Sequence, residues 1–97
     1  MNGTGIREQV IREICEIAKK YKVEKVILFG SRARGNFHRA SDIDLAVKGG
    51  DFADFSLDVD EETSTLLMFD FVDLNQSIQQ ELRENIEREG KKIYEKI

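Results

Sequence analysis

Between Phe29 and Val47 this chain leaves itself little freedom in how it folds. The stretch reads FGSRARGNFHRASDIDLAV, in which Gly30-Ser31 is followed, after ten intervening residues, by Asp42-Ile43-Asp44. The run that leads into it, Val26-Ile27-Leu28-Phe29, is uninterrupted by polar residues and reads as a buried strand. After the gap, Ile43, Leu45 and Val47 alternate with Asp42, Asp44 and Ala46. That alternation predicts a second strand over about Ser41 to Val47, with one apolar face. Side chains on a strand repeat every two residues, so both aspartates are expected on the face opposite the apolar one.

The pattern has chemical consequences. A glycine lets the backbone turn sharply and come close to a phosphate. The amide and hydroxyl of a serine that opens a short helix can bond phosphate oxygens. Two carboxylates on one strand face provide the oxygen ligands that a divalent cation needs. Each part has an ordinary structural reading too. The aspartates can be the solvent face of a half-buried strand, and Gly-Ser can be a strand-to-helix turn. It is their conjunction and order that favour the functional reading.

Gly30, Ser31, Asp42 and Asp44 resemble the signature of the nucleotidyltransferase superfamily that includes DNA polymerase beta and kanamycin nucleotidyltransferase. The likeness extends over roughly the whole chain, since the closing ELRENIEREGKKIYEKI is similar to the end of the minimal members. It implies a third carboxylate on a later strand, and Asp70 in MFDFVDL is the better match. Asp73, three residues on, should face the other way and sit at the strand end. The family implies that Asp42, Asp44 and Asp70 hold two Mg²⁺ ions, with Mn²⁺ also compatible, and that ATP is the nucleotide. Asp70 could also take the proton from an attacking hydroxyl. Gly30, Ser31 and Arg34 are the candidate phosphate binders. Arg34, in Ala-Arg-Gly, can equally brace the loop by pairing with an acid. Arg32 and Arg39 are weaker candidates, and the sole histidine, His38, is expected to be solvated in a loop.

The expected fold is α+β: a small mixed β-sheet with helices packed on one face and the carboxylates on the other, as one minimal domain over residues 1–97. Periodicity predicts a first helix over about Ile6 to Lys20, capped by Thr4. Strands are expected at Val23 to Phe29, Ser41 to Val47 and Met68 to Leu74, with a short helix or turn at about Ser31 to Gly35. A further helix is expected over about Ala53 to Leu66, and a last one capped by Ser77 and ending at Glu89 before Gly90. Ile93-Tyr94 should pack back on the core, and Cys15 should fill it.

Charge and length narrow the function. The net charge of −4 argues against a general nucleic-acid binder. No apolar run reaches the length of a membrane span, and MNGTGIREQV lacks a signal-peptide core, so a cytoplasmic location is expected. Residues 30–40 carry three arginines and no acid, which suits a triphosphate. Residues 49–73 carry eight acids and no Lys or Arg, which reads as a solvated face that could also dock a basic partner. In 97 residues there is no room for a separate acceptor-binding domain. The minimal members resemble antitoxins paired with a HEPN-domain toxin. The resemblance therefore implies transfer of AMP to a tyrosine hydroxyl of such a partner, within a hetero-oligomer. The alternatives are a non-catalytic antitoxin that inhibits by contact, and nucleotidyl transfer to a small molecule or RNA.

Overall fold

Alternation of apolar residues sets the layering of the fold. The computed structural model describes residues 3–97, and in chain order these form α1 (Glu8–Lys20), β1 (Lys25–Phe29), α2 (Gly30–Arg34), β2 (Ile43–Lys48), α3 (Phe52–Glu62), β3 (Phe69–Asp73), α4 (Gln80–Glu89) and β4 (Lys91–Glu95). The strands make one sheet in the order β3-β2-β1-β4. β1 is antiparallel to both β2 and β4, whereas β2 and β3 are parallel. A parallel pair needs a crossover, and α3 supplies it. The α+β class and the mixed sheet are as expected.

The core lies between one face of the sheet and helices α1 and α3. Val26 and Leu28 of β1 and Ile43, Leu45 and Val47 of β2 are fully buried there, against Val10, Ile14 and Ala18 of α1 and Phe55 and Val59 of α3. Phe69 and Phe71 pack on the same face, and the Phe71 ring meets Phe52 and Phe55 edge-on at 6.4 Å. Cys15 and Tyr94 pack against this core, and the Cys15 thiol donates to the Ile93 carbonyl at 3.5 Å.

One helix departs from the expected arrangement. α4 approaches the other face of β1, the one that carries Ile27: a Cβ on Gly90 would strike the Ile27 side chain and the Ile86 carbonyl. Ile27 and Ile86 also line a common small cavity of about 150 Å³. The carboxylates thus share their face of the sheet with α4.

Several ends differ from the sequence reading. α1 starts at Glu8 with Arg7 at its N-cap and no side-chain cap bond. Thr4 is instead fully buried upstream, where its Oγ1 accepts the Ile6 amide at 3.3 Å. α3 ends at Glu62, where Thr63 turns extended and donates its hydroxyl to the Val59 carbonyl at 2.7 Å, so Leu66 lies outside the helix and is exposed. The start of α3 is capped by Asp51, which accepts the Asp54 amide. Gln79, and not Ser77, occupies the N-cap of α4. Residues 91–95, expected only to pack back, form a full edge strand with a bulge opposite Val26 and Ile27. Its lysines suit an edge position, since charge there discourages pairing with another chain. No helix of the described residues is long and apolar enough to cross a membrane.

Candidate functional site

The strand that builds the core also positions the carboxylates. Asp44 sits on β2 opposite Phe29 of β1 and beside Asp70 of β3. It is half-buried, whereas Asp42 and Asp70 are exposed. Asp42 lies just before β2 and not within it. The sheet takes hold one residue later, where the Ile43 amide donates to the Met68 carbonyl at 2.9 Å. Gly30 closes the site from the side of β1. Its φ is +75°, a left-handed value that L side chains rarely adopt, and a Cβ there would run into the Asp44 carboxylate. The sequence reading gave this glycine to phosphate; the structure shows that it also makes room for Asp44.

Crowding of negative charge is the main electrostatic property of the site. Burial, followed by repulsion from Asp70 and Asp42, pushes the Asp44 carboxyl up to about 6, against an opposing pull from Arg34. These groups hold more negative charge than the local environment solvates. An all-oxygen set of this kind fits a hard divalent cation such as Mg²⁺. As the side chains stand, no three His, Cys, Asp or Glu residues among those described are gathered closely enough to hold an ion.

Around the carboxylates, the two arginines of α2 divide their work. Arg34 pairs with Glu89 at the end of α4, Nη1 to Oε2 at 2.9 Å, so the bracing partner foreseen for it is Glu89. Arg32, ranked low from sequence, is 1% exposed. Its Nε donates to the Ser41 carbonyl at 2.9 Å, Nη1 to the Thr4 carbonyl at 2.9 Å and Nη2 to the Arg39 carbonyl at 3.1 Å. The guanidinium lies 4.8 Å from the centre of the Phe37 ring. Burial draws its pKa below the usual arginine value. His38 is exposed, with its backbone amide bonded to the Ser41 hydroxyl. Asp73 ends β3, and its Oδ1 accepts both the amide and the side-chain nitrogen of Asn75. That bonding makes it a turn residue.

Sequence reasoning ranks Arg32 only as a weaker phosphate candidate, without its structural role, and misses Glu89. The acceptors of Arg32 are backbone carbonyls, which leave no trace in residue identity. Glu89 lies 55 residues from its partner, and only the docking of α4 brings it near the site.

Comparison with known proteins identifies the family and the fold. The family described as "Polymerase beta, Nucleotidyltransferase" matches residues 12–97. A protein of Methanocaldococcus jannaschii, provisionally named a protein adenylyltransferase, is 33% identical over 99 aligned positions that cover 90% of this chain and 97% of its own. Among solved structures, a toxin–antitoxin crystallised with AMP-PNP superimposes with a TM-score of 0.67 at 26% identity, over 89% of this chain and 73% of that one. A mutant of the MntA–HpeT toxin–antitoxin gives a TM-score of 0.68 at 26% identity, over 88% and 72%. By these matches the chain belongs to the polymerase-beta nucleotidyltransferase family and is a nucleotidyltransferase.

Proposed function

We propose that this protein transfers AMP from ATP to a hydroxyl of a partner protein, a tyrosine of a HEPN-type toxin, and so acts as its antitoxin in the cytoplasm. The observation that carries the proposal is the crowding of Asp42 and Asp70 around Asp44 beside the Gly30-Ser31 turn. The names of the relatives support the choice of reaction and setting, since one is named for protein adenylylation and others are toxin–antitoxin assemblies. The reading treats residues 1–97 as one minimal domain whose acceptor arrives on another chain, in a hetero-oligomer.

Nucleotidyl transfer forms a bond from the acceptor oxygen to the α-phosphorus and breaks the bond to pyrophosphate. Positioning and charge stabilisation supply most of the catalysis in such reactions. Asp42, Asp44 and Asp70 would hold two Mg²⁺ ions, or Mn²⁺, which when bound neutralise phosphate charge and activate the acceptor oxygen. Asp70, which is exposed on the edge strand β3, accepts the hydroxyl proton in this reading. The Gly30-Ser31 turn receives the phosphates through the Ser31 amide and hydroxyl. Arg34, on the following turn, exchanges Glu89 for a phosphate oxygen as the triphosphate enters.

Intact-mass spectrometry tests this reading. The protein is incubated with Mg²⁺, ATP and the product of its neighbouring gene. The expected result is a gain of one or more AMP units on that neighbour, absent with the Asp42→Asn, Asp44→Asn double variant. A stable complex with no mass gain from any of the four nucleoside triphosphates would favour inhibition by contact instead.

A further inference from the structure

Arg32 is the most deeply buried charge in the described chain, yet the acceptors that its three donor nitrogens reach are backbone carbonyls. Burying a guanidinium costs free energy unless its donors are satisfied, and an apolar side chain would fill the same space without that cost. What the guanidinium adds is directional: a rigid fork of donors that reaches several acceptors at once.

The acceptors lie on separate stretches of chain. The Thr4 carbonyl belongs to the N-terminal arm, and those of Arg39 and Ser41 belong to the loop that leads into β2. Arg32 directly follows Ser31, and Ser41 directly precedes Asp42. The bond from Nε to the Ser41 carbonyl therefore ties the phosphate turn to the first carboxylate. That tie has a purpose, because Asp42 lies outside β2 and is not held by the strand ladder. Phe37 stacks on the guanidinium from within the same loop. Gly5, with φ +70°, packs so closely that a Cβ would collide with both the Phe37 ring and Nη1 of Arg32. From these contacts we infer that Arg32 is a positioning residue for nucleotidyl transfer: it clamps the N-terminal arm and the 36–41 loop so that Asp42 is held at a fixed place relative to Ser31. The inference rests on the reading of Asp42 as part of the transfer site.

The test compares the full-length protein with Arg32→Lys, which keeps the charge but not the fork, and with Gly5→Ala, which presses on the clamp from outside. Hydrogen exchange, Mn²⁺ binding by electron paramagnetic resonance, and transfer kinetics are measured on each. For Arg32→Lys the account expects faster exchange in residues 36–44 with α1 and α3 unchanged, and Mn²⁺ binding weakened about fivefold or more. It also expects kcat reduced about tenfold or more with the KM for ATP within about threefold. Gly5→Ala should change the same quantities in the same direction, but less. Exchange that rises uniformly along the chain, with Mn²⁺ affinity and kcat per folded molecule unchanged, would reduce Arg32 to a packing role and overturn the inference. A wild-type protein that binds Mn²⁺ but transfers nothing would instead overturn the proposed reaction, and the exchange and Mn²⁺ comparisons would still decide the role of Arg32.

Discussion

Strand β2 presents two faces that obey opposite rules. Ile43, Leu45 and Val47 point into the core and are completely shielded from water. Asp44, between them in sequence, is held on the other face, where burial and then the like charges of Asp70 and Asp42 push its pKa up to about 6. The first face lowers the free energy of the fold by removing apolar surface from water. The second raises it, because burial and repulsion disfavour an ionised carboxylate. A short domain can carry a charged site because one rigid strand serves both purposes. The core face fixes the register, and the register fixes where Asp44 and Asp70 meet.

The comparison breaks if the faces cannot be separated by mutation. The largest effect expected is on the polar face. Asp70→Asn should reduce transfer about 10²–10³-fold, whereas Asp73→Asn, at the strand-end turn, should leave the rate within about threefold. Equal losses in the two would mean that the sheet does not discriminate them. On the core face, Leu45→Ala should cost about 2–5 kcal/mol in urea unfolding while the rate per folded molecule stays close to wild type.

Smaller effects sharpen the contrast. With divalent metal removed, the raised Asp44 pKa means that the folded state keeps a proton which the unfolded chain releases near 3.8. Between about pH 4 and 6 the folded state therefore binds more protons, and stability falls as pH rises through this window. A shift of this size corresponds to about 3 kcal/mol for a fully buried group, and solvent screening of a half-exposed one leaves about 1 kcal/mol. Urea midpoints measured across this pH range should fall in the wild type and stay flatter in Asp44→Asn. The smallest effect expected is at the edge of the site. Glu89→Gln frees Arg34 from a solvent-screened ion pair of the weak kind, so the KM for ATP should fall by no more than about fivefold. A rise in KM would show that the pair braces Arg34 in its working position.

Much of this arrangement was legible in the sequence. Strand alternation set the aspartates apart from the apolar face, and the family resemblance pointed to Gly30 and Asp70; in the fold, β2 beside β3 brings Asp44 next to Asp70 with their apolar faces matched. Asp42 was assigned to the right neighbourhood but to a strand that begins one residue later. What escaped depended on long-range contacts. Thr4 and Ser77 have the chemistry of caps, but the helices begin three or more residues beyond them. β4 was missed because its charged residues mask a short apolar pair, which is common on an edge strand. Arg32 looked like one more cation suited to phosphate, and only the folded loop shows that its donors are already committed. Part of the acidic run 51–62 also has structural duties: Asp51 caps α3, and Asp58 accepts bonds from Tyr21 and Lys20.

The central claim is that Asp44 serves chemistry at the expense of the fold, and one variant tests both halves together. Asp44→Asn is measured at pH 7 for nucleotidyl transfer with Mg²⁺ and for thermal unfolding without metal. The account predicts transfer at background together with a melting temperature at or above wild type, by about 4 °C if the full screened cost of about 1 kcal/mol is relieved. A lower melting temperature, or a transfer rate close to wild type, would contradict it.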